Sequence, residues 1–119
     1  MYRIPKELDL SKIVGQFTTQ IRVGQFDLQF SFGEVHFAIQ SCINLVRNGE
    51  IIGKWQEGKW PPPQFFEIMN VDVTRYEIPN DRTIVVHLEN GMEIQLSDDS
   101  DQFECMQISI KGEPNEWII

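Results

Sequence analysis

The chain has few of the residues that usually carry catalysis or hold metals. Its 119 residues include two cysteines and two histidines. No stretch approaches the ~18 consecutive apolar residues that a membrane-spanning helix needs. The segment MYRIPKELDL has no basic region followed by an apolar run, so it does not read as a signal peptide. With no export signal, a cytoplasmic location and reduced thiols are expected. The chain lacks a G-x-S-x-G elbow, a Walker loop, a G-x-G-x-x-G turn and an H-E-x-x-H helix. That removes the common hydrolase, nucleotide-binding and zinc-protease signatures.

Positive charge is also scarce, and unevenly so. The net charge is −8. Residues 1–79 carry nine acids and eight bases, a net of −1. Residues 80–119 carry nine acids against Arg82 and Lys111, a net of −7. Four of those acids, Asp98, Asp99, Asp101 and Glu104, crowd into the stretch SDDSDQFECMQISI. Phosphate binding needs clustered Lys and Arg, so neither nucleic acid nor an anionic membrane is an expected partner. A basic protein is, because a one-sided acidic surface attracts it at long range.

What the chain does have is apolar alternation. Hydrophobic residues make up 41% and there are 8 Phe. That is enough for one packed domain of 1–119 without metal or disulfide support. Phe17, Thr19, Ile21 and Val23 alternate with polar residues, as do Leu28, Phe30 and Phe32, then Val35, Phe37 and Ile39. Period two over four to seven residues reads as half-buried strand. Ile84, Val86 and Leu88 face one way, Asn90-Gly91 makes a hairpin, and Met92, Ile94 and Leu96 return. Arg47-Asn48-Gly49-Glu50 reads as another hairpin, and Pro79-Asn80-Asp81 as a turn. Short helices are expected over Lys6–Val14 and Gln64–Met69, the second entered from Pro63. A last strand is expected over Phe103–Lys111. The fold expected is mainly β, an antiparallel sandwich or a partly open curled barrel.

Two stretches share a pattern. IVGQFTTQIRV (13–23) lies over IMNVDVTRYEI (68–78), with Gly15 over Asn70 and Thr19 over Thr74. Gly and Asn both enter the left-handed region readily. The reading is of two pseudo-repeated strand–hairpin units, about 10–41 and 65–98, joined by a hairpin and proline-rich connection at 43–64.

The candidate chemical residues are weighed against plainer roles. His36, His87, Cys42 and Cys105 could bind a metal or form a nucleophile pair, the basis of a reading as a small metal-binding protein or enzyme. Their spacings of 6, 45 and 18 residues offer no close ligand pair, so no metal and no cofactor are expected. Each residue also fits a strand position. The acidic run lacks the Gly of a calcium-binding loop. It is either a solvated connection or a surface that meets a basic partner. Trp60 and Trp117 could anchor such a partner or simply pack. The apolar tail, Trp117-Ile118-Ile119, could dock on a neighbouring subunit, the basis of a third reading as an assembly subunit.

IVGQFTTQIRVGQFDLQFSFGEVHFAI together with DDSDQFECMQISI resembles a group of small acidic β-rich bacterial domains of largely unknown function. The match covers most of residues 10–110 and rests on hairpin grammar and an acidic loop leading into a strand. Proteins of this kind include immunity proteins of toxin–immunity systems, contact-dependent growth inhibition among them. The resemblance implies a non-enzymatic binding role, neutralising a basic toxin such as a nuclease. Asp98, Asp99, Asp101, Glu104, Trp60 and Trp117 are then the expected partner-binding residues, with the acids standing in for the phosphates a nuclease binds.

Overall fold

A computed structural model describes residues 3–119. The chain is mainly β and forms two antiparallel sheets of five strands that do not close into a barrel. The strands are β1 (Thr18–Val23), β2 (Leu28–Phe32), β3 (Val35–Ile39), β4 (Ile43–Arg47), β5 (Glu50–Trp55), β6 (Val73–Asn80), β7 (Thr83–Leu88), β8 (Met92–Ser97), β9 (Met106–Ile110) and β10 (Trp117–Ile118). One sheet has the order β1-β2-β3-β9-β10 and the other β5-β4-β8-β7-β6.

Alternation sets which face is inward. Leu28, Phe30 and Phe32 of β2 and Val35, Phe37 and Ile39 of β3 are buried, while Gln29, Ser31, His36 and Ala38 are only half-buried. Inside, the Phe32 and Phe37 rings meet edge to face at 5.6 Å, the geometry their quadrupoles favour. Trp55, at the end of β5, is fully buried, and its indole N–H donates to the Lys59 carbonyl at 2.9 Å. Ile119 is equally buried at the end of the other sheet's outermost strand.

The two sheets are built alike. β1–β2–β3 forms a meander in one sheet, and the chain then crosses to lay the β4–β5 hairpin in the other. β6–β7–β8 forms the second meander, and β9–β10 crosses back. Thus β3 pairs with β9 as β8 pairs with β4. Backbone bonds between the halves are reciprocal. Gly15 N–H donates to Val73 O at 2.8 Å, and Asn70 N–H to Thr18 O at 3.0 Å. Val73 N–H donates to Gln16 O, and Thr18 N–H to Val71 O. Gly15 and Asn70 have φ of 85° and 62°, the left-handed turn that lets each strand start facing the other half. Phe17 and Asp72 pair across the middle of this arrangement.

Several details depart from the sequence reading. The expected helices are short 3-10 segments, one turn at Ser11–Ile13 and two at Pro63–Ile68. Neither has a side-chain cap or an acidic first turn, and both are too short to repay α-helix nucleation. Pro79 lies inside β6, not in the turn, which falls at Asp81-Arg82 between the paired residues Asn80 and Thr83. As β6 is an edge strand, the missing proline N–H leaves no ladder partner unpaired. The last long strand starts at Met106, so Phe103 and Glu104 belong to a loop. The tail does not project. Trp117 and Ile118 pair with Ile108 and Gln107, and Ile119 N–H donates to Met106 O at 2.9 Å. Ile119 is thereby buried and Trp117 half-buried, while Ile118 stays exposed on this edge strand.

Candidate functional site

The chain crosses between sheets twice, and the two crossings meet. Gln40 N–H donates to Cys105 O at 2.8 Å, and Ser97 N–H donates to Cys42 O at 3.3 Å. Cys42 and Cys105 thus occupy equivalent places in the two halves. Between Gln40 and Cys42 there is only Ser41; between Ser97 and Cys105 lie Asp98 to Glu104. The acidic run is an expansion of one crossing in an otherwise matched pair.

Its acids have different fates. Asp98 is buried, with its side chain fully inaccessible. Arg3 donates to its carboxylate at 3.3 Å and the Cys105 thiol donates to it at 3.1 Å. Asp101 is exposed but held by two guanidiniums, Arg3 and Arg82. The bond from Arg3 and then the charge of Arg82 hold its carboxyl below the usual range. Asp99 accepts the Cys42 N–H at 3.0 Å and lies 3.8 Å from the Cys105 sulfur, so it ties the two crossings together. Burial pushes both thiols up, with the neighbouring Asp99 adding to the effect at Cys42 and the Asp98 bond at Cys105.

Asp99 and Glu104 face a cleft of about 480 Å³ at this end of the molecule. Its other determinants are Phe26, from the β1–β2 turn, Glu57, from the loop after β5, Phe103, and Ser41. Phe103 is 71% exposed and Phe26 is 56% exposed. Large apolar rings so open to water are unusual unless something covers them. The Ser41 hydroxyl is buried without a hydrogen-bond partner. Among the described residues, no lysine or arginine lines the cleft. Trp60, 77% exposed, lines a smaller hollow beside it, where Gly58 N–H donates to Gln25 O.

Of the six residues expected from the sequence, the structure therefore places Asp99 and Glu104 on the cleft and Trp60 next to it. Asp98 and Asp101 are turned to Arg3 and Arg82. Trp117 is half-buried at the sheet edge, its N–H donating to Glu113 at 3.0 Å over a separate hollow. Phe26, Glu57, Ser41 and Phe103 were missed as site residues. A signal existed for Phe26: it breaks the alternation, standing alone between Gly24-Gln25 and Asp27 in a turn, where an apolar ring has no strand face to enter. Nothing in the sequence brings Glu57 to the acidic run, because that contact spans both sheets.

The two histidines lie apart, one on each sheet. His36 sits in a row of side chains. Gln29 donates its amide N–H to Asp27 at 2.7 Å, which turns the Gln29 carbonyl to His36 Nε2 at 2.9 Å. Nε2 then carries the proton, and Nδ1 accepts the Ser31 hydroxyl at 2.8 Å. Burial, followed by Arg22, lowers the His36 pKa, consistent with this neutral form. His87 lies 2.5 Å from Glu77 and 3.6 Å from Glu93. Among the described residues, no group of three His, Cys, Asp or Glu side chains is placed to hold a metal ion. Cys42 and Cys105 are neighbours at the crossings, but neither histidine joins them.

No family model matches the chain, and neither a curated protein nor a solved structure does.

Proposed function

We propose that this protein is a binding module for a basic protein partner, which it engages at the crossing end of the sandwich. The observation that carries the reading is the cleft itself: two exposed phenylalanines beside Glu57, Asp99 and Glu104, with no cation among its lining residues. Aromatic anchors surrounded by polar groups characterise interface centres, and acidic lining selects a cationic partner and speeds its approach. Neutralisation of a basic toxin is the specific form of this role that the sequence resemblance suggests.

The test is capture of partners from the source cells on immobilised protein, at low and high salt, beside the Glu57→Gln/Glu104→Gln double variant. A basic protein retained by the parent and lost from the double variant supports the reading. Retention that is indifferent to both the substitutions and the salt overturns it. A large toxin gene directly upstream would support the toxin-neutralising form.

A further inference from the structure

We propose that Ser31 is an activated nucleophile, with His36 as its general base, and that it takes an acyl group from a small ester; this chemistry is separate from the binding role above. The pair stands on the outer face of the first sheet, where β2 and β3 set Ser31 and His36 directly opposite one another. Both are half-buried, so a small reagent can reach them. The Ser31 hydroxyl lies 2.8 Å from His36 Nδ1, and His36 Nε2 lies 2.9 Å from the Gln29 carbonyl oxygen. A nucleophile bonded to a base, with the base oriented by a third group, is the arrangement that activates a serine. The direction of each bond is fixed from one end. Asp27 accepts the Gln29 amide N–H at 2.7 Å, which commits the Gln29 oxygen to His36. The ring proton then sits on Nε2, and Nδ1 is bare to receive the proton of Ser31. Burial, and after it the charge of Arg22, lowers the His36 pKa against the opposing pull of Glu116 and Asp27, so the imidazole is a free base at neutral pH. Asp27 and Gln29 are positioning residues in this chain.

The other side of Ser31 carries donors. Gln20, on β1, stands directly across from Ser31. Arg22 donates to the Gln20 oxygen at 3.1 Å, which leaves the Gln20 N–H groups to be given elsewhere. An amide donor and a cation thus flank Ser31 on the side away from His36, the groups that stabilise an oxyanion. In the step itself the Ser31 oxygen forms a bond to the acyl carbon. The C–O bond to the leaving alcohol breaks and its oxygen keeps the electron pair. The Ser31 proton passes to His36 Nδ1 and from there to the leaving oxygen. The second sheet shows that the fold does not need such a pair to fill this row. Where the first sheet runs Gln20, Ser31, His36, the second runs Arg75, His87, Glu93 through the equivalent ladder pairs. That row closes on ion pairs, with Glu77 at 2.8 Å from Arg75 and also bound to His87.

The experiment treats the full chain near neutral pH with p-nitrophenyl acetate and, separately, with an alkyl fluorophosphonate, which forms an O–P bond to a nucleophilic serine as fluoride leaves. Intact mass and peptide mapping read both. The expected result is a fluorophosphonate adduct on Ser31 with the other serines unlabelled, and acetylation of Ser31 by the ester. Ser31→Ala should abolish both. His36→Gln should slow labelling by about 100-fold or more, the lower end of what a general base supplies. Gln20→Leu should slow it by about ten-fold, the worth of one hydrogen bond to a charged group. His87→Gln, on the other sheet, should change nothing. For the positioning residues the readout is the imidazole itself. Its 15N shifts should show Nε2 protonated and Nδ1 bare in the parent, and mixed tautomers in Gln29→Leu, with labelling slowed in step. If His36→Gln does not fold, the parent still decides: its labelling rate should fall as His36 becomes protonated, at the pKa read from the same 15N shifts. No adduct on Ser31 in the folded parent overturns the proposal. So does labelling of Ser31 that ignores both His36→Gln and the protonation of His36. Ser31→Ala should capture the basic partner as the parent does, so failure of this chemistry leaves the binding role standing, and failure of capture leaves this chemistry standing.

Discussion

The two crossings between the sheets solve the same problem with very different lengths. Ser41 alone separates Gln40 from Cys42, yet Asp98 to Glu104 separate Ser97 from Cys105. The reciprocal bonds at their ends, Gln40 to Cys105 and Ser97 to Cys42, place the two crossings in equivalent positions of the frame. Extending a connection from one residue to seven adds on the order of 1–2 kcal/mol of closure entropy. Part of that is offset inside the loop, by burial of Asp98 against Arg3 and Cys105 and by the ion pairs of Asp101. Phe103 and Glu104 offset none of it by burial, since both are exposed. The long crossing is therefore divided: Asp98, Asp99 and Asp101 are bound to the rest of the fold, while Phe103 and Glu104 remain exposed surface.

Exchanging the crossings gives the largest effect. Replacing Asp98–Glu104 by a single Ser should leave the two-sheet far-UV signature and cooperative unfolding intact. It should abolish retention of the basic partner. A chain that fails to fold would show that the long crossing is part of the frame.

Next comes Asp98 alone. Its carboxylate is fully buried, with Arg3 at 3.3 Å and the Cys105 thiol at 3.1 Å. Asp98→Ala should cost about 1–3 kcal/mol in chemical denaturation, because it takes the buried acceptor from the Cys105 thiol and one of the two carboxylates from Arg3, which keeps Asp101. The exposed Asp101 behaves otherwise. Its folded pKa is depressed, so its contribution is present above the unfolded carboxylate value and is lost as pH falls through the lower folded value. Removing Arg3, its largest partner, by Arg3→Ala should lower stability in the neutral region, where it also leaves the buried Asp98 carboxylate without its guanidinium, flatten the acid limb, and leave stability below the folded Asp101 value nearly unchanged.

The equivalent cysteines give a smaller, kinetic contrast. Cys42 is partly accessible and Cys105 is buried. Burial raises both thiol pKa values, and Asp99 adds to the effect at Cys42. At pH 7.5 an alkylating reagent should modify Cys42 first and slowly, and Cys105 only on unfolding. Asp99→Asn should speed the Cys42 reaction. Equal rates at both thiols would mean that the crossings open together.

How much of this was legible depended on range. β2, β3, β7 and β8 follow from alternation, and the last two are joined where Asn90-Gly91 stands, through a three-residue Glu89–Gly91 loop in which only Gly91 is left-handed. The likeness of Gly15 and Asn70 was visible because left-handed φ leaves a local mark on residue choice. The acidic run was conspicuous, but its division into a buried Asp98, an ion-paired Asp101 and a cleft-facing Glu104 was not. That division is imposed by Arg3 and Arg82, which lie 95 and 16 positions from Asp98 in sequence. The pairing of the tail was not legible for the same reason: its partner within the chain, β9, becomes a partner only after the chain has crossed twice.

The smallest change separates the two crossings most sharply. Ser41 holds a buried hydroxyl with no partner, so Ser41→Ala removes a polar group that the fold does not use. Stability should stay level or rise by up to about 1 kcal/mol, since the desolvation cost of an unmade bond disappears. A loss above that size would mean that the hydroxyl is bonded in the free protein. Retention of the basic partner should stay unchanged, because the hydroxyl has no accessible surface to offer a ligand. Retention lost on Ser41→Ala would instead mean that the cleft opens on binding, making Ser41 the short crossing's own contribution to a cleft otherwise dominated by the long one.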